Sequence, residues 1–201
     1  MGVSLTQDFS AALRRTAAGP PRLVGDRVAV AVGEVLGVDG VGLAAASGAG
    51  LTTPVGASSA AAALVERLEF TVGQGPCVDA HRDGRTVIAS GGGLARRWPA
   101  FHDVMVAHTP FRSMVGLPLP GPLASMLTIG LLSRDDGGAD RIDLSNIAAV
   151  GWLGTAELIQ ADLQAQDDAA TGGGGRPGPA PTPVGKTRSG CPGRGPRAAV
   201  R

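Results

Sequence analysis

The chain has 201 residues, of which 43% are hydrophobic, and its 18 Lys and Arg nearly balance 17 Asp and Glu for a formal net charge of +1. This length suits one domain of roughly 150 residues with a real core. No apolar run approaches the ~20 residues of a bilayer-spanning helix, and Met1-Gly2-Val3-Ser4 lacks the basic start of a signal peptide, so neither membrane nor export is expected. Cys77 and Cys191 lie far apart in segments of different character. They make no disulfide framework, and a reducing cytoplasm is the expected setting.

In chain order, the first helix is predicted from Ser4, with Gln7 completing a Ser-x-x-Gln capping box and Leu5, Phe9 and Leu13 on one face. Gly19-Pro20-Pro21 breaks it. Val24, Val28, Ala31, Val32 and Val35 then repeat at helical spacing, and Gly37 closes that helix. Residues 38–46 and 51–57 read as two strands around Ser47-Gly48-Ala49-Gly50. Ala60 to Leu68 reads as a short helix, and Leu68 to Val72 as a strand-like segment. Gly73 and Gly75 form a turn, and Pro76 starts a helix where no N–H is needed. Gly84 stops it.

Residues 85–90 are then predicted as a strand, Gly91-Gly92-Gly93 as a loop and residues 99–108 as a helix. Residues 113–119 and 125–132 form a hairpin of near-continuously apolar strands, which need cover on both faces of a sheet. The final helix, about residues 143–166, carries Leu144, Ile147, Ala148, Trp152, Ala156, Ile159 and Leu163 as its expected apolar stripe. This order gives an α+β fold, a central antiparallel sheet with helices on both faces. Three regions follow: 1–22, a helix and linker; 23–167, the main domain; and 168–201, a Gly/Pro/Arg-rich tail expected to be disordered. Residues 1–170 hold twelve Arg against seventeen acids, net −5, whereas the tail from 171 holds five Arg and one Lys with no acid, net +6.

Leu68-Glu-Phe-Thr-Val-Gly-Gln-Gly-Pro-Cys-Val-Asp-Ala-His-Arg-Asp-Gly-Arg85, followed by Arg97-Trp-Pro-Ala-Phe101, resembles the ligand-pocket loop of GAF domains in actinobacterial regulators of the GAF/ANTAR type. There the pattern is a phenylalanine, a Gly-x-Gly-Pro-Cys turn and Trp-Pro-x-Phe. The resemblance covers about residues 23–165 and implies a GAF-like sensory module, non-enzymatic, binding an unidentified small molecule or a partner regulator. The residues after Gln166 have neither the length nor the apolar periodicity of an ANTAR domain. The pocket implied by the resemblance takes Phe70, Gly73, Gly75, Cys77, Asp79, Trp98, Phe101, Met114 and Leu117. Trp98, held extended before Pro99, is expected as a half-exposed lid. The same apolar residues would equally make a core.

Cys77 falls in a first helical turn, where the macrodipole favours thiolate. That admits a thiol sensor, against the alternative of a small buried hydrophobe. His81, His102 and His108 have no metal-ligand spacing, although some GAF domains hold haem. No cofactor is assigned. The Asn-Lys-x-Phe-Asp-Glu signature of cyclic-nucleotide GAF domains is absent, because Asn146 is followed by Ile147. No Gly-x-Ser-x-Gly elbow or Walker loop occurs. The final helix is expected to pair with a second copy, with Phe9 and Leu13 in the seam. The alternative function is an RNA-associated regulator whose tail makes weak, non-specific phosphate contacts.

Overall fold

A computed structural model describes residues 2–19, 23–46, 52–121 and 126–172, except the side chains of residues 2, 3, 52, 144 and 167–172. Helix α1 (Gly2–Ala17) begins before Ser4, whose hydroxyl donates to Asp8 within the helix and caps nothing. Helix α2 (Val24–Leu36) ends where predicted, with Gly37 left-handed at φ 63°. Strands β1 (Gly40–Ala46) and β2 (Thr52–Ala57) follow, the predicted turn between them lying outside the described residues.

Helix α3 runs Ala60–Val72 and overturns the strand-like reading of residues 68–72. Ser59 accepts the Ala62 N–H at the start, and Gly73 at φ 69° closes the far end on the Glu69 carbonyl. With a left-handed stop already at residue 73, the helix has no cause to end at Leu68. Helix α4 (Pro76–Asp83) has proline in its first turn and stops at Gly84. Strand β3 is limited to Val87–Ala89. The three glycines expected in a loop open helix α5 (Gly91–Arg97), which leads into α6 (Pro99–His108). Strands β4 (Ser113–Pro118) and β5 (Leu127–Ser133) make the predicted hairpin. A 3-10 turn at Ala139–Arg141 precedes α7 (Leu144–Gly172). Residues 173–201, most of the predicted tail, lie outside the described residues.

The sheet is five-stranded and antiparallel in the order β2-β1-β5-β4-β3. Alternation sends Val41, Leu43, Val115, Leu117, Ile129 and Leu131 to one face, where they meet α1, α2 and α7. Met114 and Leu132 point to the other, under α3 to α6. Phe9 and Leu13, expected at a seam with a second copy, are buried in this chain's own core. The stripe on α7 is also rotated from the expected one. Ile147 and Val150 are buried with Leu153 and Leu158 against them, while Trp152, Ala156 and Leu163 face outward.

Candidate functional site

The buried face of α3 is Ala62, Val65, Glu66 and Glu69, so two carboxyl groups occupy helical positions that ordinarily carry Leu or Met. Glu66 is 2% exposed and Glu69 1%. The Glu69 Oε1 atom accepts the N–H groups of Cys77 at 2.6 Å and Val78 at 3.2 Å. It caps α4, whose N-cap residue Gly75 has no side chain for the task. A Cβ at Gly75 would collide with that same Oε1. The other Glu69 oxygen, Oε2, and Glu66 Oε1 are buried without a hydrogen-bond partner.

Beneath these groups the sheet is bare. Gly42 on β1 pairs with Gly130 on β5, which pairs with Gly116 on β4. A Cβ on Gly42 would run into the Glu66 carboxyl group, and one on Gly116 would stand 2.6 Å from the Pro76 carbonyl oxygen and 2.8 Å from the Cys77 nitrogen. One on Gly130 would meet Cys77 Sγ and Glu66 Oε1 at 3.1 Å each. The three glycines let the start of α4 and Glu66 sit directly on the backbone, while Glu69 packs against Gly75. Ligand atoms of Glu66, Glu69 and Cys77 lie within 4.8 Å of one another.

Burial is the first cause of every shift in this cluster. It raises Glu69 to about 7 against the lowering by its two backbone N–H bonds, and it raises Glu66 well above the usual carboxyl range with help from the Glu69 charge. The Cys77 thiol is likewise pushed up, by burial and then by the charges of Glu69 and Glu66. Cys77 is thus the small buried residue of the two sequence readings and not a thiolate at a helix N-terminus. The helix N-terminus does favour an anion, but desolvation and two neighbouring carboxylates outweigh it.

The predicted pocket residues divide among several environments. Cys77, Trp98, Phe101 and Met114 share one core, whereas Leu117 belongs to the opposite face of the sheet. Phe70 is 42% exposed on the outer side of α3, and Gly73 is the cap of that helix. Trp98 is 4% exposed, not half exposed. Asp79 explains why: it accepts the Trp98 indole N–H at 3.2 Å and Arg97 Nη2 at 2.7 Å, pairs with Arg82 at 2.7 Å, and Arg97 lies 4.6 Å over the Trp98 ring. This clasp ties α4 to the α5–α6 junction. Glu66 and Glu69 were missed in the sequence, although their place on the apolar stripe of Ala60–Val72 is a readable signal. His81 Nδ1 is also buried without a partner, one turn beyond Cys77, but outside the three-residue group. A separate polar cleft of about 340 Å³ lies at the other end of β5, lined among others by Asp39, Ser133, Asp135 and Arg141.

A five-stranded antiparallel sheet in this order, with helices on both faces, defines the class as a GAF-type fold. The structure is similar to that of the GAF domain from a phosphoenolpyruvate-protein phosphotransferase (ptsP) of Coxiella burnetii, with a TM-score of 0.51 and 12% identity, over 80% of this chain and 98% of that one. At that identity the likeness carries the fold alone. No protein-family model matches the chain, and no curated protein is similar to it in sequence. No described helix is long and apolar enough to cross a membrane.

Proposed function

We propose that the chain is a non-enzymatic cytoplasmic sensory module of the GAF kind. It takes a small ligand between α3, α4 and the sheet and passes its state to a second copy or a partner regulator through α7. The observation that carries this reading is the pair of unpartnered buried oxygens, Glu66 Oε1 and Glu69 Oε2. An unsatisfied buried polar group costs about 1–3 kcal/mol, more when charged, and apolar residues of similar volume would pack the site without that cost. Buried carboxyl groups strongly perturbed by desolvation and by a neighbouring charge are candidates for a functional site. Burial of all three cluster residues supports binding rather than turnover, because a substrate-sized molecule has to displace α4 to reach them. On α7 the exposed Trp152 and Leu163 supply an apolar surface for the second copy.

Native mass spectrometry of the freshly purified full chain tests the reading, since it reports bound mass and oligomeric state together. The expected result is an adduct present under native conditions, lost on denaturation, and depleted in the Glu66→Gln, Glu69→Gln double variant. No adduct on the wild type, together with no thermal shift across a panel of metal salts and metabolites, would overturn it.

A further inference from the structure

We propose that Glu66, Glu69 and Cys77 together bind one divalent transition-metal ion of the zinc class, and that this ion is the small ligand of the sensory reading, on which the inference rests. Three donors converge: their ligand atoms lie within 4.8 Å of one another, and all three residues are buried. An ion about 2.0–2.3 Å from each donor needs donor separations of roughly 3.3–3.8 Å. Small rotamer adjustments of two glutamates supply that contraction.

The Glu69 carboxylate is divided in the manner of a metal ligand. Its Oε1 is fixed by the backbone N–H groups of Cys77 and Val78, while Oε2 is left without a partner. Bonds of this kind orient a ligand's free atom and hold its geometry. Glu66 Oε1, also without a partner, converges with Cys77 Sγ over the bare backbone of Gly130. At Gly42 and Gly116 the nearest atoms belong to Glu66, Pro76 and Cys77, and at Gly130 they are Cys77 Sγ and Glu66 Oε1, with the Met114 side chain of β4 at 3.5 Å.

Two nearby cations are already committed. Arg82 and Arg97 pair with Asp79, at 2.7 Å each, on the outer side of α4. When ionised, Glu66 and Glu69 therefore have no paired cation among the described residues. A divalent ion supplies that counter-charge from within the cluster, and the N-terminus of α4 offsets part of the one negative charge left over by three anionic ligands.

The donor set selects the ion. Carboxylates alone suit calcium or magnesium, but a thiolate shifts preference to the softer divalent ions, and three protein ligands leave a fourth position for water or a signal molecule. Binding moves no electrons. The thiol S–H and any carboxyl O–H lose their protons to water as one metal–sulfur and two metal–oxygen bonds form.

The test is titration of the chelator-treated full chain with Co2+, followed by competition with Zn2+. The expected result is a thiolate-to-cobalt charge-transfer band saturating at one equivalent and removed by Zn2+. The band should survive Cys191→Ser and vanish in Cys77→Ser. Glu66→Gln, nearly isosteric and checked for folding by circular dichroism, should weaken Co2+ binding by roughly tenfold or more, at least the loss seen for outer-shell partners. A folded wild type with no band, or a band that depends on Cys191 and not on Cys77, would overturn the assignment. If Co2+ and Zn2+ fail to bind while native mass spectrometry still shows another adduct, the metal is wrong and the sensory reading stands. If no ion and no adduct are found, both fall.

Discussion

On one face of the sheet, α1, α2 and α7 bury Phe9, Val28, Val32, Leu131 and Val150 among aliphatic neighbours. On the other, α3 to α6 enclose Trp98, Phe101, Met105 and Met114 together with Glu66, Glu69 and Asp79, all three acids buried. The first face has nothing to gain from its residues except packing. The second carries groups that weaken it unless something compensates. Asp79 is compensated by Arg82, Arg97 and the Trp98 indole. Glu69 is only half compensated, by the cap its Oε1 gives α4, and Glu66 Oε1 is left without a partner. The contrast separates a stabilising half from a responsive half.

The largest expected effects come from truncating an aromatic on each side. Phe9→Ala and Trp98→Ala should each cost about 3–5 kcal/mol in denaturant unfolding. Phe9→Ala should leave Co2+ affinity unchanged, which sharpens the division between faces. A small loss for Trp98→Ala would restore the lid that its burial argues against.

A pH series is expected to show the next largest effect. Burial raises Glu69 from 4.5 to about 7, so the folded, metal-free chain holds this proton more tightly than the unfolded one. The contribution of Glu69 to stability is then greatest below pH 4.5 and falls as pH rises through about 7. The loss is about 3 kcal/mol for Glu69, with the raised Glu66 adding in the same direction. Glu69→Gln should flatten the curve, and saturating Zn2+ should reverse its slope. A wild-type curve that rises from pH 5 to 7.5 without metal would put both carboxyl groups in contact with solvent.

Gly42→Ala is expected to cost less, about 1–3 kcal/mol as overpacking, because its methyl group meets Glu66. It should also weaken Co2+ binding, which no methyl on the aliphatic face would do. The smallest effect is predicted for Leu163→Asp, within about 0.5 kcal/mol of wild type since the residue is 56% exposed. Light scattering should nevertheless report loss of a dimer. A wild type that is monomeric at tens of micromolar (an order-of-magnitude concentration set by ordinary dimer affinities) removes α7 as the contact.

Much of the architecture was readable because single residues mark it. Gly37, Pro76, Gly84 and Pro99 each delimit a helix where the sequence places it, and the apolar hairpin of β4 and β5 has the cover its composition demands. The two acids were lost through one misplaced boundary. Phe70, Thr71 and Val72 have strand propensity, yet propensity yields to a helix already running and to the left-handed stop at Gly73. An extended segment at residues 68–72 would remove Glu69 from the face that it shares with Val65 and Glu66 in the helix. On α7 the error was one of rotation, since Gly151 and Gly154 let Pro120 and Val28 approach closely and turn Trp152 outward. A glycine contributes nothing to a hydrophobic pattern, so its role in close approach is invisible until the partner is known.

The glycine row also ties the site to strand register. Slipping β5 by one residue against β1 would turn its pleat over and drive Ile129 or Leu131 into the space of Glu66. Slipping by two would preserve the pleat but set Thr128 or Leu132 beside Gly42. Gly116 imposes the same demand on the pairing of β4 with β5. The cluster can assemble in one alignment of three strands and in no neighbouring one, which makes its formation a proofreading step on the sheet itself.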